Sequence, residues 1–330
     1  MKKSWTGTFV LLAAACAIAA ATPAIGQQYP VRPPTFVVPF APGGATDALA
    51  RQFAERMGRG ASQPFVVENI AGAGGTLGAG RVARAKPDGY TFLIGHVGYM
   101  AAAVGLYKQL GYDPVADFDA VARFPDTPLV LIAGRDARAK TLPALIEFAR
   151  KNPDKLNVGN AGVGSSGHLV AALFASAIKA GVTHVSYKGN APALTDIISG
   201  RIDCMFDQSN TALPQVRGEK VIALATTSKV RLPQMPSVPT LAESGLPGFD
   251  VATWYGIYAP KGTPREALGW VHARFAEAMQ DAAFTGKLVE RGYVLLPPGL
   301  DTPEALATHT RREVDLWKKV IADAGIPPTQ

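Results

Sequence analysis

The chain has 330 residues, of which 48% are hydrophobic and 18% charged, enough apolar material for about two packed domains and too much for a disordered chain. Its formal charge of +7 arises from 33 basic and 26 acidic residues with no run of Lys or Arg, which excludes the clustered basic footprint of a nucleic-acid binder. Two cysteines, Cys16 and Cys204, allow neither a disulfide framework nor a cysteine metal knuckle.

Lys2 and Lys3 precede an apolar run over residues 9–21, followed by Thr22, Pro23 and the small residues Ala24 and Gly26. This is the pattern of a secretory signal peptide over residues 1–26, cleaved after Gly26. The apolar run is shorter than the ~20 residues needed to cross a bilayer. Ala13-Ala14-Ala15 lacks the leucine a lipobox prefers, so acylation of Cys16 is the weaker reading. An exported chain that keeps a single thiol, Cys204, fits a bacterial periplasm.

Beyond the leader, short β-branched or aromatic runs alternate with glycine turns and helical patterns. Phe36-Val37-Val38 is a predicted strand, followed by Pro42-Gly43-Gly44 and a helix over 47–57 that buries Leu49, Phe53 and Met57. Phe65-Val66-Val67 leads to Gly72-Ala73-Gly74-Gly75 and a second helix. Strands are expected at 91–94, 129–133, 157–158, 182–187, 202–206 and 221–226. Helices are expected over 142–151, stopped by Pro153, and from the turn Gly162-Val163-Gly164-Ser165-Ser166-Gly167 through Lys179. The Pro-rich stretch 233–247 reads as a linker or surface loop. A strand at 254–258 and two long amphipathic helices, 264–279 and 303–323, complete the chain. Such alternation means an α/β protein with mostly parallel sheets. A first zone ends near Asp126 and a second begins at Thr127; a chain that returns to its first zone crosses twice, and two crossings make a hinge.

Three glycine turns open helices, where unpaired N–H groups and a partial positive charge suit an anion. Gly43 and Gly44 expose amides at the first, with Thr46 or Asp47 able to cap; Ser165, Ser166 and His168 surround Gly164 and Gly167 at the third. Sharper motifs fail. A dinucleotide fingerprint after Gly72 and Gly74 needs glycine where Leu77 stands, and no phosphate-loop Gly-Lys-Ser/Thr occurs. Gly-x-Ser-x-Gly fails at both serines, at Val163 for Ser165 and at His168 for Ser166. No pair of the five histidines has helical zinc spacing. His184 reads as structural, and His272 and His309 as surface residues. His96, at a strand end, and His168, just past a glycine turn, are candidate ligand contacts. Asp207, also at a strand end, is either a helix cap or hinge contact or a ligand contact. A secreted hydrolase using Ser166, His168 and Asp207 is the competing reading; residues two apart on a helix do not face each other. No metal site and no cofactor are expected.

The combination Val38-Pro39-Phe40-Ala41-Pro42-Gly43-Gly44-Ala45-Thr46-Asp47, Val66-Val67-Glu68-Asn69 and Pro87-Asp88-Gly89-Tyr90-Thr91, with Tyr112-Asp113-Pro114-Val115, Tyr187-Lys188-Gly189, Ala191-Pro192-Ala193-Leu194-Thr195-Asp196 and Asp203-Cys204-Met205-Phe206-Asp207, resembles the Bug family of periplasmic solute-binding proteins, the TctC-like receptors of tripartite tricarboxylate transporters. The resemblance covers nearly all of the chain after the leader. It implies a type II periplasmic-binding-protein fold whose two lobes, with mostly parallel sheets and a two-strand hinge, close on a small carboxylate. Lobe 1 would comprise 27–126 and 249–330, and lobe 2 residues 127–248. The implied contacts are Phe40, Ala41, Gly43, Gly44, Thr46 and Asp47 from the first lobe and Asn160, Ala161, Ser165, Ser166 and His168 from the second, with Asp207 at the cleft. A periplasmic monomer serving a membrane permease, without enzymatic activity, is the implied role. His96-Val97-Gly98-Tyr99 and Asp126 depart from the family pattern. Asp126 near the cleft would disfavour a second ligand carboxylate or welcome an ammonium group, and Tyr99 would suit an aromatic or a mono- or dicarboxylate better than a tricarboxylate.

Overall fold

The computed structural model describes residues 29–247 and 249–323; the expected leader over 1–26 and Cys16 lie outside them. From the N-terminal side, β1 (Thr35–Val38) turns at Gly43 and Gly44 into α1 (Ala45–Gly58). β2 (Val66–Asn69) passes through a tight turn into α2 (Thr76–Ala83) and then β3 (Thr91–His96). One π turn, Gly98–Ala102, runs into the short α3 (Ala103–Leu106), and β4 (Phe118–Arg123) follows. The chain crosses at Phe124-Pro125-Asp126 into β5 (Thr127–Gly134). Next come α4 (Leu142–Lys151), β6 (Asn157–Asn160), α5 (Ser166–Ile178), β7 (Thr183–Ser186) and α6 (Asn190–Ile198). β8 (Cys204–Gln208), α7 (Ser209–Arg217), β9 (Val221–Thr226) and β10 (Ala252–Thr253) complete the second zone. β11 (Tyr255–Pro260) returns to the first, followed by α8 (Arg265–Gln280), α9 (Ala282–Glu290) and α10 (Pro303–Asp323).

The strands make two sheets, one per lobe. The first has the order β2-β1-β3-β11-β4, and the second β10-β5-β8-β6-β7 with β9 also on β5. In each, the three strands linked by helices are parallel: β2, β1 and β3 in the first, β7, β6 and β8 in the second. The crossing strands run antiparallel, β11 against β3 and β4, and β5 against β8 and β9. The sheets are therefore mixed where alternation alone predicted mostly parallel ones, because a strand arriving from the other lobe enters from the opposite end.

Strand alternation sorts the second core into two layers. Leu129, Leu131 and Ala133 of β5 face one cluster with α4 and α5, while Val130 and Ile132 face another with Ala193 and Leu213. The first core gathers Phe36, Phe53, Phe124 and Phe275, with Leu306 and Trp317 of α10 closing it. Phe249 packs in the second core and β10 pairs with β5, so the return crossing falls at Trp254, later than the expected 249. α9 was not foreseen: a third helix stands between the two expected at the C-terminal end. His309 is buried against Trp254, with ring centroids 4.9 Å apart, where sequence placed it on the surface.

Candidate ligand-binding cleft

The first-lobe turn is held by one carboxylate. Asp47 Oδ2 accepts from the Gly43 N–H (2.9 Å) and Arg51 Nε (2.9 Å), and Oδ1 accepts from Asn69 Nδ2 (2.9 Å). Asn69 Nδ2 also donates to Phe40 O at 3.0 Å, fixing the strand end beside the turn. Burial alone would raise the Asp47 carboxyl, but the bonds from Arg51, Gly43 and Asn69 outweigh it and leave the group below the usual carboxylate range. No side chain caps α1, and the amides of Ala45, Thr46 and Asp47 make no hydrogen bond within the described chain.

The second-lobe turn is braced by neutral groups. The Gly162 N–H donates to Asn160 Oδ1 (2.9 Å), the Gly164 N–H to His168 Nδ1 (3.3 Å), and the His168 N–H to Ser165 Oγ (3.3 Å). Burial, with His184 adjoining at 4.8 Å between ring centroids, pulls the His168 imidazole down to about 4. The amides of Ser166 and Gly167, first in α5, likewise have no partner within the described chain.

The lobes are closed on each other. Ala41 N donates to Lys188 O at 3.2 Å, Asn210 Nδ2 to Ala45 O at 3.2 Å, and His96 Nε2 lies 2.8 Å from Ser166 Oγ. Between them is an enclosed pocket lined by Phe40, Gly44, Ala45, Thr46, His96, Ala161, Ser165, Asn190 and Gln208, with a cavity volume of about 10 Å³. That is room for one water in the closed state. No Lys or Arg lines it. Phe40 and Ala161 also border an outer chamber of about 300 Å³, walled by the 72–75 turn, Tyr107, Gly162, Val163, Tyr187 and Lys188.

Of the expected contacts, Phe40, Gly44, Thr46, His96, Ala161 and Ser165 line the inner pocket, and Ser166 reaches it through His96. Gly43, Asp47, Asn160 Oδ1 and His168 are instead engaged within their own lobes, and Ala41 is an inter-lobe main-chain contact. Asp207 resolves toward support of a helix start. Its Oδ1 accepts from the Asn190 amide and from Gln208 N (2.9 Å), its Oδ2 from Thr211 Oγ1 (2.7 Å), and it does not line the pocket. Burial pushes its carboxyl up to about 6 against the pull of those bonds.

Two expectations about specificity are corrected. Asp126 sits at the crossing, bound to Arg123 through both oxygens at 2.9 and 3.0 Å, and does not line the pocket. Tyr99 is wholly buried with its hydroxyl on Ile94 O, so it offers no wall to a ligand. Asn190 and Gln208 line the pocket and were missed, although each begins or precedes a helix after a strand. Tyr255, buried with its hydroxyl unpartnered, lies 5.4 Å from the His96 ring and was also missed. Asn160 Nδ2 is a second buried donor with no partner. Among the described residues, no three His, Cys, Asp or Glu side chains are placed to hold a metal ion, and no helix is long and apolar enough to cross a membrane.

Known proteins match this arrangement over most of their length. A protein of Pseudomonas sp. strain P51, named for the tcbD-tcbE intergenic region, is 39% identical over 90% of this chain and 88% of its own. The solved structure of the periplasmic binding protein BugD superposes with a TM-score of 0.87 at 38% identity, covering 91% of this chain and all, 100%, of that one. MatC from Rhodopseudomonas palustris, solved with bound malate, gives a TM-score of 0.85 at 38% identity over 89% of this chain and 100% of its own. The family described as the tripartite tricarboxylate transporter family receptor matches residues 49–326. With two lobes, two crossings and an enclosed cleft between two helix starts, the chain belongs to this family of Bug-type periplasmic solute-binding proteins.

Proposed function

We propose that the protein captures a small carboxylate between its lobes, in the periplasm, and hands it to a membrane transporter or sensor. The observation that carries this reading is the pair of helix starts, 45–47 and 166–167, whose amides have no partner within the described chain, belong to opposite lobes and flank one enclosed pocket that no Lys or Arg lines. Free amides and helix dipoles stabilise a negative group without a buried cation. The solved neighbour holding malate supports the ligand class. With Asp126 neutralised by Arg123 and outside the pocket, nothing there opposes a dicarboxylate. A ligand touching both lobes favours the closed form by its differential affinity. At 100 times its dissociation constant it stabilises the fold by ~2.7 kcal/mol. A thermal-shift panel of mono-, di- and aromatic carboxylates, with mass spectrometry of anything released on denaturation, tests this. A rise with at least one carboxylate is expected; no shift with any, and no copurified acid, would remove the reading.

The 2.8 Å contact between Ser166 and His96 invites comparison with a hydrolase dyad. Its polarity is reversed. His96 Nδ1 accepts from the Gly98 N–H at 2.9 Å, so the ring proton is on Nε2 and is donated to Ser166 Oγ. A catalytic base must accept at that nitrogen. His168 and Asp207, the other members of the competing triad, are bound to Gly164 and to Asn190, Gln208 and Thr211. The geometry supports binding over turnover.

A further inference from the structure

His96 ends β3 at the centre of the cleft and is 1% exposed. Phe40, Tyr99 and Tyr255 surround its ring at centroid distances of 5.6, 5.4 and 5.4 Å, which fixes the plane of the imidazole. The Gly98 N–H fixes its tautomer. The result is a single, rigid, uncharged donor, Nε2–H, aimed across the cleft at the second lobe. Burial draws the imidazole down to about 3, which favours its neutral form in the closed protein. Ser166 Oγ receives that hydrogen bond and keeps its own hydroxyl proton to donate. A ligand cannot enter a pocket of about 10 Å³ while this bond stands, because the bond itself spans the space between the lobes.

We propose that His96 is a specificity-determining residue: its Nε2–H and the Ser166 hydroxyl, one from each lobe, separate and together hold one carboxylate group of the ligand. The inference rests on the carboxylate reading above and deepens it. A carboxylate offers only acceptors and satisfies both donors, and hydrogen bonds to a charged acceptor are the strong ones. An ammonium turned to the same place has no acceptor and sets an N–H against an Nε2–H that cannot change its tautomer while Gly98 occupies Nδ1, and a primary amide offers its one neutral carbonyl oxygen in place of a charged pair.

The test uses the carboxylate giving the largest shift in a panel of malate, succinate, adipate and benzoate, together with its primary amide counterpart. Wild type is compared with His96→Leu, which removes the donor, and His96→Gln, which restores an N–H at similar reach. Calorimetry is expected to show a ten- to hundredfold weaker carboxylate for His96→Leu, by roughly the loss of one charge-assisted bond, with most of the affinity recovered in His96→Gln. Wild type should bind the amide more weakly than the carboxylate, because the bonds to it are no longer charge-assisted. Equal carboxylate affinity in His96→Leu and wild type, or equal binding of amide and carboxylate by wild type, would overturn the assignment while leaving carboxylate capture intact. If no acid in the panel binds wild type, capture of these acids fails and the inference with it. Nitrogen NMR of wild-type His96 gives a readout that needs no variant: a proton on Nε2 is expected, and a proton on Nδ1 would overturn the proposal.

Discussion

The two turns that face each other across the cleft are built from similar residues and braced in opposite ways. In the first lobe an ionised Asp47 ties Gly43, Arg51 and Asn69 together, and Arg51 is half exposed. In the second lobe Asn160, His168 and Ser165 do the bracing without charge, and the one nearby acid, Asp207, is buried among neutral donors. The first turn thus satisfies the Gly43 amide internally and the second those of Gly162 and Gly164, while the first amides of the following helix have no partner within the described chain. The glycines shape the turns, and Gly44, Ala45, Thr46 and Ser165 border the pocket between them. A charged brace tolerates solvent and can sit beside the surface. A neutral one adds no field that would repel an incoming carboxylate.

The largest effect is expected from separating the two turns. A Cβ at Gly98 would lie 2.2 Å from Gly164 O, main chain of the opposite lobe, so Gly98→Ala should hold the lobes apart. Calorimetry is expected to show at least a hundredfold loss of ligand affinity, about 2.7 kcal/mol, while the ligand-free melting temperature changes little. Unchanged affinity would mean that closure does not bring these turns together.

Next is the charged brace. Asp47→Ala leaves the Gly43 N–H and an Asn69 donor without their acceptor, and should cost about 2 kcal/mol in urea unfolding. Its exposed partner Arg51 adds little beyond that. A loss no larger than that of a surface substitution would show that the turn does not depend on this carboxylate.

The neutral brace is sharpened by pH. The Asp207 carboxyl has been raised by burial from 3.8 to about 6, so between those values the folded protein holds a proton that the unfolded chain has released. Stability from this group is therefore full below the lower value and is lost as pH rises through the upper one. Asp207→Asn keeps an acceptor for Asn190 and Gln208 and offers Thr211 Oγ1 a donor in place of an acceptor. Relative to wild type the variant should gain as pH rises from about 4 to about 7, by roughly 3 kcal/mol, in paired thermal melts. A difference that does not vary with pH would contradict the buried, neutral setting of this acid. The smallest effect is at Ser165, whose Oγ caps α5 through His168 N: Ser165→Ala should cost about 1 kcal/mol in the same melts, and no loss would remove the cap from the account of that turn.

Much of this could be read from the chain itself. A single glycine turn between a strand and a helix is as readily a plain tight turn, but Gly43-Gly44 and Gly164-Ser165-Ser166 stand out as two of them in different zones, and His96 stands out at a strand end. What could not be read is which way a polar side chain points. Asp47, His168 and Asp207 are residue types that serve as well for bracing a turn as for meeting a ligand, and only coordinates show them bound inward. Asn190 and Gln208 carry no periodic signal, so the wall they form was missed. β4 was passed over because its outer positions, Asp119 and Ala120, break the apolar alternation. The return crossing is expected at 249 and lies at 254 because composition cannot say that Phe249 packs against the second core.

The most direct measurement is a crystal structure of the protein with the carboxylate that raises its melting temperature most. Expected are carboxylate oxygens within hydrogen-bonding reach of amides at both helix starts, in 45–47 and in 166–167. A carboxylate held by one lobe alone, or bound outside the pocket they enclose, would contradict the two-sided clasp.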